Sequence, residues 1–510
     1  MCERVHAEEE GGGVEMGEKV YLSATDQTGN FWIDNGLAYL LEQFGEGEHS
    51  SDEIMQHLLS KLVQPTGNKG LYYDQRSGQL REYEKCNWLE PANLFIKVAG
   101  DSGKKEEIGN KKYPTQPPQF NLEISLSKKE EQCDICGQLG LITSAKMWIY
   151  PFVVDPAKFA NFYSGGKRGL KLCARCALAG VAGYLSWWWC RQGDNALHFF
   201  LFHADLPELL RLHRDVMSPL SLRRGRGGNV PHTFLGKYLH ETVLGVLLAL
   251  FSHIPSSEVL SDEARQYLAS LFAGTTPATS PVVLYAVTGV PAQAFDMKQL
   301  KEFSRLQQLF RLYEQWTKIV VDRYGAANPH QQIVRILEQF WVQRQRERET
   351  IWRDRIAQAV LELSDPLPTI EEFLFDIRAK EESPRPLRQG TEEILLDNYS
   401  KEVSQMDEDF IKALSSFGRR LGEAAQAGNE RGLLYSLRNA KNVEEFYRVL
   451  NDIQFRLSLT VPESLLKLEK GERIAGAPWK RVKHMLAIYS MNAYLRKERY
   501  GEKPEETEED

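Results

Sequence analysis

The sequence predicts an α+β N-terminal region with an embedded four-cysteine unit, followed by a C-terminal α-helical bundle. Three observations carry that expectation. Short apolar β-like runs punctuate the first part, as at 197–202 and 281–287. Two C-x2-C pairs stand at Cys133/Cys136 and Cys173/Cys176. From about residue 235 apolar residues recur at helical spacing, as in Leu300, Phe303, Leu306, Phe310 and Leu312.

The elements follow in chain order. Residues 1–19, acidic and glycine-rich, read as a flexible leader with no apolar signal-peptide core. Order is expected from Val20, where VYLSAT forms a short strand, and then in a helix capped near Asp34. The run DSGKKEEIGNKKYPTQPPQFN reads as a long polar loop between strand-like stretches NLFIKVAG and FNLEISL. Segments 297–324 and 331–363 are expected to be long helices, and EESPRPLRQG at 381–390 a linker. These features divide the chain into an N-terminal region 20–385 with the cysteine unit at 130–180, a helical bundle 386–500 and an acidic tail 501–510. Within the bundle, Gly428, Pro462 and 476–478 mark breaks.

Composition narrows the function classes. With 42% hydrophobic residues, 26% charged residues and 10 Trp, a packed core is expected rather than a disordered chain. A net charge of −7 excludes a uniformly basic nucleic-acid coat but leaves room for local basic surfaces. No apolar run reaches the roughly 18–20 residues of a membrane helix, so a cytoplasmic protein is expected.

Each C-x2-C turn brings two sulfurs to one side, and four thiolates satisfy a tetrahedral d¹⁰ ion without redox chemistry. The pairs are separated by 36 residues, more than a minimal ribbon needs, so an insertion lies between them. Gly137 and Gly169 suit tight knuckle turns. The expectation is a closed structural Zn²⁺ site with no open position for a substrate. Against it stands a pair of redox dithiols, or cysteines that never meet.

Catalytic patterns are thin. His213-Arg214-Asp215 resembles a kinase catalytic loop only superficially, since Leu220 stands where Asn is needed. His203 and Asp205 lack supporting carboxylates for a metal phosphohydrolase. A non-enzyme is expected, the alternative being a zinc-containing nuclease or nucleotide-handling enzyme.

Cations and amides cluster locally. Lys111, Lys112, Gln116, Gln119 and Asn121 lie in the polar loop, Lys167 and Arg168 precede the second knuckle, and Arg223, Arg224 and Arg226 form a Gly-rich basic run. Cations suit phosphates, and amides can pair with base edges. Between Met406 and Tyr500, 17 Lys and Arg face 12 Asp and Glu, a net of +5 ahead of a tail of −5. Arg419, Arg420, Arg438, Lys441, Lys480, Arg481 and Lys483 are the candidates there for tracking a nucleic-acid backbone. Trp187 to Trp189 are expected in a core rather than on bases.

Taken with the opening Thr28-Gly29-Asn30-Phe31 through Asp34-Asn35-Gly36, the two knuckles and the basic helical C-terminus, the chain resembles a known family. It is similar to the CXXC–CXXC large subunit of type I CRISPR interference complexes (Cascade), most like the type I-B branch. That resemblance implies a non-catalytic subunit that recognises the protospacer-adjacent motif, aids duplex opening and R-loop formation, and binds the displaced strand. The implied partners are a guide RNA, other Cascade subunits, target double-stranded DNA and a recruited helicase–nuclease. The C-terminal bundle looks like a fused small subunit, which related systems also make separately. Lys401-Glu402-Val403 can encode a ribosome-binding core ahead of Met406, so separate small-subunit copies spanning 406–510 are expected.

Overall fold

In a computed structural model, the structure describes residues 19–89, 92, 96, 100–146, 148–151, 169–192, 195–221, 228–231, 236–273, 281–289 and 299–501. The chain forms an α+β N-terminal region holding the four cysteines and a helical C-terminal region. Two compact units result. One comprises Met1–Pro231, Ile254–Leu271 and Ala278–Leu306; the other comprises His232–His253, Phe272–Pro277 and Gln307–Asp510.

The first unit is organised by an antiparallel sheet in which Trp188–Gln192, Asn195–His203, Val282–Gly289 and Gln299–Phe303 are successive neighbours. The run from His198 to Leu201 is buried at every position, as a strand covered on both faces must be. Helix Phe31–Phe44 presses aromatics against this sheet. Phe31 stacks on Tyr285 at 4.3 Å, and Trp32 meets Phe200, Tyr184 and Trp187 within about 5 Å. Trp187, Trp188 and Trp189 are all buried, so they are core residues, although Trp188 and Trp189 lie on a strand.

This helix begins at Phe31 rather than near Asp34, for two reasons legible in its hydrogen bonds. The Asn30 side chain caps it by accepting from the Trp32 and Ile33 amides at 3.1 and 3.2 Å. Asp34, inside the first turn, reaches back to accept from the Thr28 amide and hydroxyl and the Gly29 amide at 2.7–2.8 Å. Gly29 makes this turn with a φ of 76°.

Four expectations on elements need correction. The polar loop contains a hairpin, Lys105–Ile108 with Lys111–Pro114, closed by Gly109-Asn110 with Gly109 at φ 64°. FNLEISL forms no strand, and a longer hairpin that composition had not suggested, Val63–Asp74 with Gln79–Trp88, precedes it. Segment 297–324 starts as strand Gln299–Phe303 because Val282–Gly289 offers it a free edge; only Leu306–Tyr324 is helical. Segment 331–363 is split between helices Pro329–Glu338 and Ile351–Glu362. The charged run between them has no apolar stripe to bury and forms hairpin Val342–Arg344 with Glu347–Glu349.

The second unit is mainly helical. Helix Leu239–Ser252 is buried from Leu239 through Phe251. Helices Glu408–Ala427, Arg431–Asn439 and Val443–Leu457, short Glu463–Leu466 and long Trp479–Tyr500 follow, with breaks at Gly428, before Pro462 and at 476–478. Trp479–Tyr500 runs against Glu408–Ala427 so closely that a Cβ at Gly422 would lie 2.0 Å from the Ser490 carbonyl oxygen.

The division between units therefore falls elsewhere than at 385/386, and residues 307–385 join the later helices. The Tyr399 hydroxyl donates to the Ala359 and Ser364 carbonyls, and Arg438 pairs with Asp376. The stretch 381–390 is packed rather than a loose linker: Leu387 is buried and its amide donates to Asn492 at 2.7 Å. Among the described residues, no helix is long and apolar enough to cross a membrane.

Candidate metal centre and basic surfaces

A three-stranded antiparallel sheet, Glu130–Gln132, Leu139–Ser144 and Lys171–Cys173, positions the four cysteines. The first knuckle is the turn between the first two strands. The Gly137 amide donates to the Cys133 carbonyl at 2.9 Å, with Gly137 at φ 74°. The second knuckle is a strand-to-helix junction: Cys173 ends its strand and caps helix Ala174–Ala182, which places Cys176 in the first turn. A reciprocal pair of bonds staples the knuckles together. The Asp134 amide donates to the Lys171 carbonyl at 2.9 Å, and the Lys171 amide donates to the Asp134 carboxylate at 2.7 Å. Gly169 has open space and lies outside the left-handed region, so no knuckle turn requires a glycine there.

The four sulfurs lie within 4.8 Å of one another, with Cys136 and Cys173 at 3.7 Å. Tetrahedral thiolate ligation at about 2.3 Å separates sulfurs by about 3.8 Å, so the arrangement matches what a metal ion demands. Cys133 and Cys176 are buried and Cys136 and Cys173 half-buried. Hydrogen bonds from Cys173 and Cys176 pull the Cys133 thiol far below its ordinary range, while bonds with the other three sulfurs drive Cys176 far above it. Thiols this crowded cannot ionise independently; a cation at their centre resolves the conflict. The N-terminus of Ala174–Ala182 adds a partial positive charge beside them.

Residues from the opening motif converge on the same helix. The Trp32 indole donates to the Gly180 carbonyl at 2.8 Å. Gly36 sits against Ala179 with no room for a side chain. Arg175, between the second pair of cysteines, is buried and ion-paired with Asp26. Sequence reasoning missed Arg175 and Asp26; the only local signal was an Arg inside a C-x2-C turn.

The catalytic suspects have structural partners. His213 is buried against Asn35, and burial lowers its pKa to about 4. Asp215 pairs with Arg214 at 2.7 Å. The Asp205 side chain caps helix Leu206–Leu212, and His203 Nδ1 accepts from the Asp205 amide.

The basic candidates divide sharply. Lys111 and Lys112 stand exposed on the short hairpin with no ion pair among the described residues, near exposed Lys104 and Lys105. Gln119 and Asn121 are exposed and Gln116 is half-buried; a paired backbone bridge between Asp101 and Gln119 holds this segment. The tip of the long hairpin joins the short one through a Gln75–Glu106 hydrogen bond of 3.2 Å. Lys167, Arg168, Arg223, Arg224 and Arg226 lie outside the described residues.

In the second unit, four of the seven cations are engaged internally. Arg419 binds Glu392 at 2.7 Å, Arg438 binds Asp376 and lies 3.9 Å from Glu371, Arg481 pairs with Asp365 at 3.3 Å, and Lys483 donates to the Arg438 carbonyl at 2.8 Å. Helix-to-helix packing turned these side chains inward, the three arginines toward carboxylates that a charge count along the sequence cannot pair with them and Lys483 toward backbone carbonyls. Arg420, Lys441 and Lys480 remain exposed.

Compared with known proteins, the chain matches no protein-family model and no curated protein.

Proposed function

We propose that this protein is a non-catalytic, zinc-stabilised, nucleic-acid-binding large subunit of an RNA-guided type I CRISPR interference complex. The observation that carries the metal part is the closed four-sulfur cluster. Its all-thiolate donor set favours zinc, and four protein ligands leave no position for an activated water. The exposed Lys104, Lys105, Lys111 and Lys112 beside Gln119 and Asn121 support duplex contact near a short motif: lysines anchor phosphates and amides reach base edges. The subunit assignment rests on the resemblance of the Thr28–Gly36 turn, the knuckles and the basic helices. In this reading Arg420, Lys441 and Lys480 are the C-terminal groups that face a displaced strand. A product of 406–510 begun at Met406 would keep helix Glu408–Ala427 whole, since its cap is Asp407.

Duplex binding measured across a salt series tests the reading. Replacing Lys105, Lys111 and Lys112 together by Ala should weaken binding and reduce the log–log salt slope by up to about 2.7, at about 0.9 per phosphate contact. An unchanged slope removes the hairpin from the interface. In a complex reconstituted with guide RNA, omission of this chain should abolish motif-dependent duplex binding. Metal-dependent DNA cleavage by the isolated chain would instead favour a nuclease.

A further inference from the structure

We propose that the hairpin Val342–Arg344 with Glu347–Glu349 is a further nucleic-acid contact, a ribbon that holds phosphodiester backbone through Arg344, Arg346 and Arg348. The inference rests on the nucleic-acid reading above and adds to it a site on the second unit. The run QRQRER at 343–348 sets three arginines within five residues. All three are exposed, and no ion pair engages them among the described residues. The two acids of the hairpin, by contrast, are taken. Glu347 pairs with Lys237, and Glu349 accepts from the Tyr238 hydroxyl at 2.7 Å. Glu347 lies opposite Arg344 in the ladder and Glu349 opposite Val342, so Lys237 and Tyr238 anchor one face and leave Arg344 without its nearest acid. Gln343 and Arg348 oppose each other on the other face, both exposed.

The ribbon is held at its base and presented at its tip. Phe340 and Thr350 are buried, the Thr350 hydroxyl donates to buried Glu241 at 2.7 Å, and the Arg353 amide donates to the Phe340 carbonyl at 3.1 Å. The Arg348 guanidinium lies 4.6 Å from the ring centroid of half-buried Trp341, a stack that fixes its planar fork before any ligand arrives. At the tip Gln345 adopts a φ of 53°, a turn position that Gly or Asn fills without strain, and its carbonyl accepts from the Gln343 side chain at 3.1 Å. Guanidinium forks match phosphate oxygens, and three of them without acids nearby suit a regularly charged polyanion. With one face anchored, the ribbon cannot sink into a duplex groove as a free two-stranded ribbon does. Its contacts are therefore to the backbone and indifferent to base sequence.

The test uses the full chain and two probes, a mixed-sequence single-stranded DNA and its duplex, each titrated across a salt series. Replacing Arg344, Arg346 and Arg348 together by Ala should reduce the log–log salt slope by up to about 2.1 on the single strand and up to about 2.7 on the duplex, at about 0.7 and about 0.9 per phosphate contact. Near about 0.1 M salt the single strand should then bind up to about 100-fold more weakly. Lys at all three positions keeps the charge and should keep most of the slope. The control replaces Lys412, Arg456 and Lys467, exposed cations of the same unit that are ion-paired, and should leave the slope unchanged. If the wild-type chain binds neither probe, the nucleic-acid reading falls and this inference with it. If it binds, and the triple Ala variant keeps the wild-type slope or the control loses as much, this inference alone is overturned. Poly-glutamate binding as tight as DNA binding, and lost in the same variant, would assign the hairpin to an acidic protein surface and overturn it as well. Should the triple variant not fold, Arg346→Glu at the exposed tip decides by the same slope.

Discussion

Gly36→Ala sets two opposed effects against each other at one atom. In an open helix, Ala is favoured over Gly by about 0.8–1.0 kcal/mol. At Gly36, however, the added Cβ would lie 1.8 Å from the Ala179 carbonyl oxygen, 2.7 Å from its carbon and 3.0 Å from the Gly183 nitrogen, where ordinary contact begins at 3.4 Å. The two helices must separate by about 1.6 Å to admit it. The obstacle is backbone on all sides, so no side chain can swing away. Overpacking of this kind costs about 1–3 kcal/mol, and separation also weakens the Trp32–Gly180 hydrogen bond, worth about 1 kcal/mol. The clash therefore wins, with a net destabilisation of about 1–3 kcal/mol. Calorimetry should show the transition of the first unit lowered by several degrees. Gly432→Ala supplies the control, because it lies in a helix with nothing within 4 Å of its Cβ position. That variant should gain up to about 1 kcal/mol. A Gly36→Ala protein melting at or above wild type would refute the close approach of these helices.

Other outcomes follow from the same geometry. Cys136→Ser should lower bound metal from one ion per chain toward zero, and metal analysis after dialysis checks this; full retention would mean the four sulfurs do not act together. Asp397 is half-buried beside the buried Glu393 and Glu392, and desolvation raises its carboxyl to about 7 even though the Tyr489 hydroxyl bonds to it and Arg419 lies near. Because the folded pKa exceeds the unfolded value of about 3.9, its contribution to stability is full below pH 4 and is lost as pH rises through about 7. Asp397→Asn should therefore gain stability relative to wild type across that window, by up to about 4 kcal/mol, as followed by urea midpoints at pH 5 and pH 8. A difference that does not change with pH would count against the buried acidic cluster. Asp376→Ala removes the partner of Arg438, whose hydrogen bond first, and then that of Lys380, lowers the Asp376 carboxyl to about 2. It should destabilise the second unit at neutral pH, with the effect vanishing as pH falls toward 2.

Much of the architecture was legible because it rests on local chemistry. The C-x2-C pairs announced the four-sulfur cluster, since three-residue spacing alone brings two thiols to one side of a turn. Gly428 and Pro462 marked helix breaks, and Trp187 to Trp189 declared a core through their apolar area. Errors arose where a local pattern had two solutions. Leu300 and Phe303 fit a helical stripe, yet a neighbouring strand edge claimed their segment. GlyAsn at 109–110 signalled a hairpin turn that the surrounding lysines obscured.

The sequence by itself determined which groups exist and what short spacing can do with them: four thiols poised for one ion, a Gly–Asn turn into a helix, and a surplus of cations near the C-terminus. Tertiary structure decided which of those groups meet. It brought Arg175 to Asp26, 149 residues away, and it paired Arg419, Arg438 and Arg481 with carboxylates 27, 62 and 116 residues away in the chain. Charge acts through space with a reach of only several ångströms, so the fate of a cation depends on the side chains folding places beside it, not on the residues that flank it in sequence.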